Sequence, residues 1–357
     1  MYKLLRNFLF LFPPEAAHHF SMKSFNLLCK IPFIRRILAS PYSALGVDHP
    51  EYTKSIWGLH FRNGLGLGAG FDKNALYLKE LELLGFGFIE IGTVTPLAQA
   101  GNLKPRLFRL QKDKALINRM GFNNDGVKKV AQRLRKWNQE YSNAGLPVRR
   151  PMIGGNIGKN KNTPNEEAWK DYESCFLELW DCVDYFVVNL SSPNTPGLRE
   201  LQEKNSLRKI LTHLQTLNDN RAKSSLEKIK PLLLKIAPDL SWQQLDEIID
   251  LALEIRLDGL VVSNTTVSRQ GLRTAGTRLE YMEGGLSGIP LKARATAITS
   301  YIHQKTSGKI ILIASGGVFT SEDAQEKINS GASLVQVWTG FIYEGPAIVQ
   351  NILKIPF

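Results

Sequence analysis

The chain has 357 residues, enough for two average domains or one barrel of the larger kind. With 43% hydrophobic and 22% charged residues it is no disordered chain, collagen-like repeat or disulfide-stapled miniature. Lys and Arg number 45 against 33 Asp and Glu, and the resulting +12 suits nucleic acid, a membrane surface or an anionic ligand without choosing among them.

The first forty residues carry two apolar pieces, Phe8 to Phe12 and Phe25 to Leu28, broken by Pro13 and Pro14. Lys3, Arg6, Lys23, Lys30, Arg35 and Arg36 interleave with them, and Glu15 is the only acid. Neither piece reaches the roughly 18 to 20 residues of a membrane span, and no cleavage site follows a secretory core. The pattern predicts two short amphipathic helices. They suit either the interface of an anionic membrane or a hairpin packed on the main domain.

From about Gly58 onward, short apolar runs alternate with amphipathic helical stretches. The expected strands are Leu65 to Ala69, Phe88 to Gly92, Met152 to Asn156, Tyr185 to Leu190, Leu232 to Ile236, Gly259 to Ser263, Ile310 to Ala314 and Leu334 to Trp338. The expected helices are Ala75 to Leu84, Gly126 to Trp137, Glu166 to Trp180, Leu207 to Leu217, Trp242 to Ile255, Leu291 to Gln304, Ser321 to Ile328 and Ala347 to Leu353. Eight such units of near-continuous apolar strand predict a closed (β/α)8 TIM barrel, with a doubly wound open sheet as the runner-up. The small helical extension occupies residues 1–45 and the barrel 46–357. Two connections are long, Thr95 to Asn124, with the strand-like PRLFRL and ALINRM, and Thr265 to Pro290.

Polar residues recur at the carboxyl ends of the strands: Lys73, Thr93, Asn156, Asn189, Ser192, Lys235, Ser263, Asn264 and Thr265. In a barrel these ends open on one face, where active sites lie. Each alone reads as a turn former or a snorkelling lysine, but their joint recurrence points to a site. Ser315-Gly316-Gly317 and Thr339-Gly340 put small residues after strands seven and eight, where backbone N–H groups can approach a phosphate. Gly68-Ala69-Gly70 leaves room for a flat ring. Together they suggest a phosphorylated planar cofactor. Ser191 and Ser192 open a stiff loop, SSPNTPG, with no His or Asp nearby in sequence, which leaves Ser192 a structural role or proton transfer rather than acyl transfer. As a base it needs a substrate proton acidified in the reaction and an exit through Thr195 or a water.

Cys29, Cys175 and Cys182 never form a CxxC, so no disulfide framework, zinc ribbon or iron–sulfur cluster is expected, and a reducing compartment fits best. Of the six histidines only His18 and His19 adjoin, and no HExxH occurs, so no metal is predicted.

The motifs GLGAGFDKN (Gly66 to Asn74), EIGTVTP (Glu90 to Pro96), NRMGFNN (Asn118 to Asn124), NIGKNKNTP (Asn156 to Pro164), NLSSPNTPGLR (Asn189 to Arg199), KIAPDL (Lys235 to Leu240), SNTTVSR (Ser263 to Arg269), GGLSG (Gly284 to Gly288) and GASLVQVWTGFIYEGP (Gly331 to Pro346) resemble dihydroorotate dehydrogenase over nearly the whole length. The resemblance implies an FMN-containing barrel that oxidises dihydroorotate to orotate in pyrimidine synthesis. By the family's pattern Ala69, Gly70, Phe71, Asp72, Lys73, Thr93, Asn156, Asn189, Lys235, Ser263, Gly288, Gly317, Trp338 and Thr339 hold FMN. Lys73, Asn118, Arg119, Met120, Gly121, Phe122, Asn189, Asn194, Asn264 and Thr265 hold the substrate, with Ser192 as catalytic base. Side-chain amides can read the carbonyl and N–H edges of a pyrimidine, and a lysine can offset its carboxylate.

Serine rather than cysteine at 192 and the cationic apolar extension resemble the membrane-associated, quinone-reducing class 2 members. That resemblance implies a quinone tunnel in residues 1–40, Arg109 lining it, and peripheral attachment to the cytoplasmic face of the inner membrane, with no nucleic-acid partner and no metal. Trp338 departs from the family, where tyrosine is common, and lacks the phenol hydroxyl. The rival readings are a soluble fumarate- or NAD-linked dihydroorotate dehydrogenase, an RNA-acting flavin barrel that uses the +12 charge, and a non-enzymatic membrane module.

Overall fold

The computed structural model describes residues 2–43, 50–143, 150–274 and 282–354. The expected boundary between residues 45 and 46 lies outside them, as does part of the Thr265 to Pro290 connection. Three helices come first, α1 (Tyr2–Leu9), α2 (Pro14–Cys29) and α3 (Pro32–Leu38), where the apolar pattern predicts two. Pro14 and Pro32 each open a helix at a position where a missing N–H costs no internal bond. An antiparallel hairpin, β1 (Lys54–Ile56) and β2 (Leu59–Phe61), follows.

The remaining strands are β3 (Leu65–Leu67), β4 (Phe88–Val94), β5 (Leu107–Leu110), β6 (Ala115–Asn118), β7 (Met152–Ile157), β8 (Tyr185–Asn189), β9 (Leu232–Ile236), β10 (Gly259–Val262), β11 (Gly285–Gly288), β12 (Ile311–Ser315) and β13 (Leu334–Val337). Eight of them, in the order β3-β4-β7-β8-β9-β10-β12-β13, close a parallel barrel as expected. Each corresponds to an expected strand. The other three, β5, β6 and β11, form an antiparallel sheet over the barrel's carboxyl face; β11, inside GGLSG, has no strand-like signal in the sequence.

The outer layer is α4 (Leu78–Leu83), α5 (Val127–Asn143), α6 (Ala168–Leu179), α7 (Lys204–Ser225), α8 (Trp242–Glu254), α9 (Lys292–Thr306), α10 (Ser321–Asn329), α11 (Thr339–Glu344) and α12 (Ile348–Ile352). Capping boxes start α8 at Ser241 with Gln244 and α10 at Thr320 with Asp323. Helix α4 starts later than the expected Ala75, because Ala75 is left-handed and the Asp72 carboxylate accepts from the N–H groups of Leu76 and Tyr77 at 2.9 and 2.8 Å.

The inward faces of the strands build two layers. Phe88, Tyr185, Val187, Leu233, Val261, Ile313 and Leu334 form an apolar cluster with Phe61 of the β1–β2 hairpin. Trp57, at the hairpin's turn, packs against this cluster and donates its indole N–H to Asp258 O at 2.9 Å. Glycines on neighbouring strands make room for the rings: a Cβ at Gly66 would lie 2.3 Å from the Phe88 ring, and one at Gly154 2.3 Å from the Tyr185 ring. Because side chains alternate along a strand, the next inward residue toward the carboxyl end sits two positions on. Those residues are Glu90, Asn156, Asn189, Lys235, Ser263, Ser315 and Gln336. The fold thus sets a polar tier directly upon an apolar one.

Candidate active site

Glu90 is fully buried, and its two oxygens are both engaged: Asn156 Nδ2 donates to Oε1 at 2.7 Å and Gln336 Nε2 donates to Oε2. The Lys235 ammonium lies 3.6 Å from Oε1. From there the hydrogen bonds run outward. Thr93 Oγ1 donates to Asn156 Oδ1 at 2.5 Å, and Asn189 Nδ2 donates to Thr93 Oγ1 at 2.8 Å. Ser191 Oγ and Asn264 Nδ2 donate in turn to Asn189 Oδ1, at 3.0 and 3.4 Å.

On the opposite wall Asn194 Nδ2 donates to Asn118 Oδ1 at 3.0 Å, and the Asn194 backbone N–H donates to Ser192 Oγ at 3.2 Å. Asn194 Oδ1 is buried and has no hydrogen-bond partner among the described residues. Asn102 joins the surrounding loops, donating to Arg119 O at 3.0 Å and Asn194 O at 3.1 Å.

Lys73, half-buried as a residue, donates from its ammonium to Gly121 O at 3.2 Å and to Asn123 Oδ1. Burial, with the nearby Arg106 guanidinium, brings its pKa down to about 7, against the smaller opposing pull of Glu15. A lysine so poorly compensated favours an incoming anion.

These groups line one cavity on the carboxyl face of the barrel. It contains Ala69, Gly70, Lys73, Thr93, Asn118, Met120, Gly121, Phe122, Asn189, Ser192, Asn194, Lys235, Ser263, Asn264, Thr265, Gly288, Gly317, Trp338 and Thr339 among the expected site residues. Four expected residues lie outside its lining. Asn156 stands behind Thr93, and Asp72 is occupied in capping its own loop. Phe71 faces a second cavity, and Arg119 turns outward to donate to Pro105 O at 3.0 Å. The lining also includes Gln336 and Ser287, which sequence reasoning missed. Glu90 was missed behind them. The available signal was a polar residue inside an apolar strand, Glu in FIEIG and Gln in LVQVW.

The second cavity, of about 460 Å³, lies between α1, α2 and the barrel. Leu9, Phe10, Phe20, Phe25, Leu107 and Phe341 give it an apolar character. It shares Gly70, Lys73, Leu116, Met120 and Trp338 with the first cavity. Arg109 lines it, donating to Phe10 O at 3.1 Å and Phe12 O at 2.8 Å with its guanidinium 4.4 Å from the centre of the Phe10 ring. His18 packs edge-on against Phe71 at 4.8 Å, and burial lowers its pKa to about 4, so its ring is neutral there.

The family model for dihydroorotate dehydrogenase matches residues 52–355. This chain belongs to the dihydroorotate dehydrogenase family. A relative from Christiangramia forsetii, named dihydroorotate dehydrogenase (quinone), is 48% identical over 353 residues, covering 99% of this chain and 97% of the relative. One of the same name from Gloeobacter violaceus is 48% identical over 358 residues, covering 99% and 93%. The crystal structure of DHODH from Eimeria tenella in complex with ferulenol superposes with a TM-score of 0.85 at 42% identity, covering 95% of this chain and 89% of that one.

The family is flavin-dependent, and the first cavity fits such a group. Gly68, Gly70, Gly288, Gly316, Gly317 and Gly340 strip side chains from its walls. At Gly70, with φ of +99°, a Cβ would be strained and would lie 3.4 Å from the Trp338 indole nitrogen. Two buried acceptors, Asn194 Oδ1 and Gln336 Oε1, have no partner among the described residues and belong to residues that line this cavity. No group of three or more His, Cys, Asp and Glu side chains that could hold a metal occurs among the described residues.

Proposed function

We propose that this protein oxidises (S)-dihydroorotate to orotate, with FMN as hydride acceptor and a membrane quinone as final electron acceptor. The observation that carries this reading is the shared wall: an amide-lined polar cavity and an apolar one meet at Gly70, Lys73, Leu116, Met120 and Trp338. A polar substrate and an apolar oxidant can thus use opposite sides of one cofactor.

Ala69, Gly70, Thr93, Asn189, Lys235, Ser263, Gly288, Gly317, Trp338 and Thr339 would hold FMN, with Asn156 orienting Thr93 from behind. Bound FMN supplies an acceptor for two electrons that a quinone can take up again. Lys235 offers it a buried positive charge, which favours the electron-rich state.

Asn118, Asn189, Asn194 and Asn264 present both donors and acceptors to the ring edge of the substrate, and Lys73 meets its carboxylate. Gly121 and Phe122 close the cavity beside Lys73, while Met120 and Thr265 complete its rim. Ser192 takes the proton from the ring carbon next to the one that gives up hydride while its own hydroxyl proton passes to Thr195 or a water. The hydroxyl already accepts a backbone N–H from Asn194, which leaves its own proton free to point elsewhere and stabilises charge on the oxygen. The Asn-lined wall holds the substrate ring in position for both transfers.

The extension, residues 1–45, serves the quinone side, and residues 46–357 form the catalytic barrel. Among the described residues no helix is long and apolar enough to cross a membrane. Helices α1 to α3 and the turns between them nevertheless carry exposed Leu4, Phe8, Leu11, Leu27 and Phe33 beside exposed Lys3, Lys23, Lys30, Arg35 and Arg36. This surface supports peripheral attachment to the cytoplasmic face of the inner membrane, with Arg109 lining the quinone path. The direct test of the reaction is anaerobic mixing of the flavin-loaded protein with dihydroorotate. Stoichiometric bleaching of the flavin with formation of orotate is expected; an unchanged spectrum would overturn the substrate assignment.

A further inference from the structure

Gln336 is 1% exposed, yet its side-chain oxygen has no hydrogen-bond partner among the described residues. The residue just past strand β3 leaves one side of this buried oxygen without a covering side chain. Gly68 has no side chain, and a Cβ there would sit 3.3 Å from Gln336 Oε1. Both residues line the first cavity.

Glu90 decides which end of the amide faces that cavity. A carboxylate only accepts, so the Gln336 amide must turn its NH2 toward Glu90 and its oxygen away. The same logic fixes Asn156, whose Nδ2 donates to Glu90 and whose Oδ1 therefore accepts from Thr93 Oγ1. Lys235, 3.6 Å from Glu90, adds a donor-only ammonium on the same tier. The floor of the cavity thus presents one aimed acceptor and one cationic donor.

An oxidised flavin ring bears a single N–H, the imide between its two carbonyls; the two carbonyl oxygens and the two unsubstituted ring nitrogens accept, and its dimethyl edge does neither. An alternating edge of carbonyl and imide matches an ammonium beside an amide oxygen. Resting on the flavin reading above, we propose that Gln336 contacts the cofactor, its Oε1 accepting the imide N–H, with Glu90 as the positioning residue that aims it.

The full-length protein holding FMN is equilibrated with an excess of FMN methylated at the imide nitrogen, and the bound flavins are released and quantified. The unaltered protein should prefer FMN by about tenfold or more, the effect of one buried hydrogen bond and a displaced methyl. Gln336→Ala, which removes the acceptor and clears space, should hold the two flavins about equally. Glu90→Gln should also lose the preference, because an amide at 90 can donate and lets Gln336 reverse, whereas a purely structural role for Glu90 would weaken both flavins alike. Equal binding by the unaltered protein overturns the proposal without any variant having to fold. Failure to retain FMN at all would instead overturn the flavin reading.

Discussion

Burial leaves the Lys73 ammonium with a pKa of about 7, and an orotate-like carboxylate beside it would raise that value again. Affinity for orotate should therefore be greatest below pH 7 and fall, by at most about tenfold per unit, as pH rises past 7 in the free protein. Titration of orotate binding from pH 5.5 to 9 checks this; Lys73→Ala should bind weakly with a flat profile, and a pH-dependent profile in that variant would assign the effect elsewhere. Ser192→Ala should keep flavin and substrate but slow flavin bleaching by about 10²- to 10⁴-fold in rapid mixing, the usual weight of a general base. Near-normal bleaching would remove Ser192 from that role. Most of the site was legible because Lys73, Asn189, Ser192, Lys235 and Asn264 are polar where an apolar strand runs out. Glu90 and Gln336 were not, since a lone polar residue within a strand shows no partner until the barrel brings β4 and β13 to the same tier. Arg119 and Asp72 sit in the right motifs, but local backbone partners claim their side chains.

The element that ties the extension to the barrel is α2. Glu15, in its first turn, accepts from Arg106 at 2.7 and 3.1 Å, and Arg106 donates onward to Ala100 O and Asn102 O. The first turn of α2 is thereby joined to the loop whose Asn102 braces Asn194. Glu15→Ala leaves the buried Arg106 uncompensated and should cost about 1.5–3 kcal/mol, read as a lowered Tm together with weaker quinone turnover. The Arg106 hydrogen bond and charge, with Lys104, hold the Glu15 pKa below its ordinary value despite partial burial. A depressed carboxyl stabilises the fold above its unfolded pKa of about 4.5, so this tie should be lost as pH falls through the folded value. An unchanged Tm in Glu15→Ala would show that the tie carries no stability. The barrel strands were legible from apolar runs, and α2 from its cations and Pro13-Pro14. The β1–β2 hairpin, β11 and α11 were not, because three to six residues offer too little periodicity and each is held by long-range pairing or packing.

At the scale of the molecule, an apolar outer surface on α1 to α3, an apolar cavity beneath it and a polar cavity beyond stand in series. Helix α1 is anchored at this junction by Tyr2 Oη donating to Ile342 O at 2.7 Å and Arg6 donating to Tyr343 O at 3.1 Å. Replacing exposed Leu11 and Phe33 by Asp should weaken sedimentation with anionic lipid vesicles while sparing dihydroorotate-driven bleaching, since neither residue lines either of the two cavities. Undiminished vesicle binding would remove this face from the membrane surface. The series also predicts which oxidant can reach the cofactor. The most direct measurement is reoxidation of the anaerobic, dihydroorotate-reduced protein by a short-chain quinone, fumarate or NAD, followed by flavin absorbance. Rapid return of the flavin band with the quinone alone is the expected result; recovery with fumarate or NAD, and none with quinone, would contradict the two-cavity account.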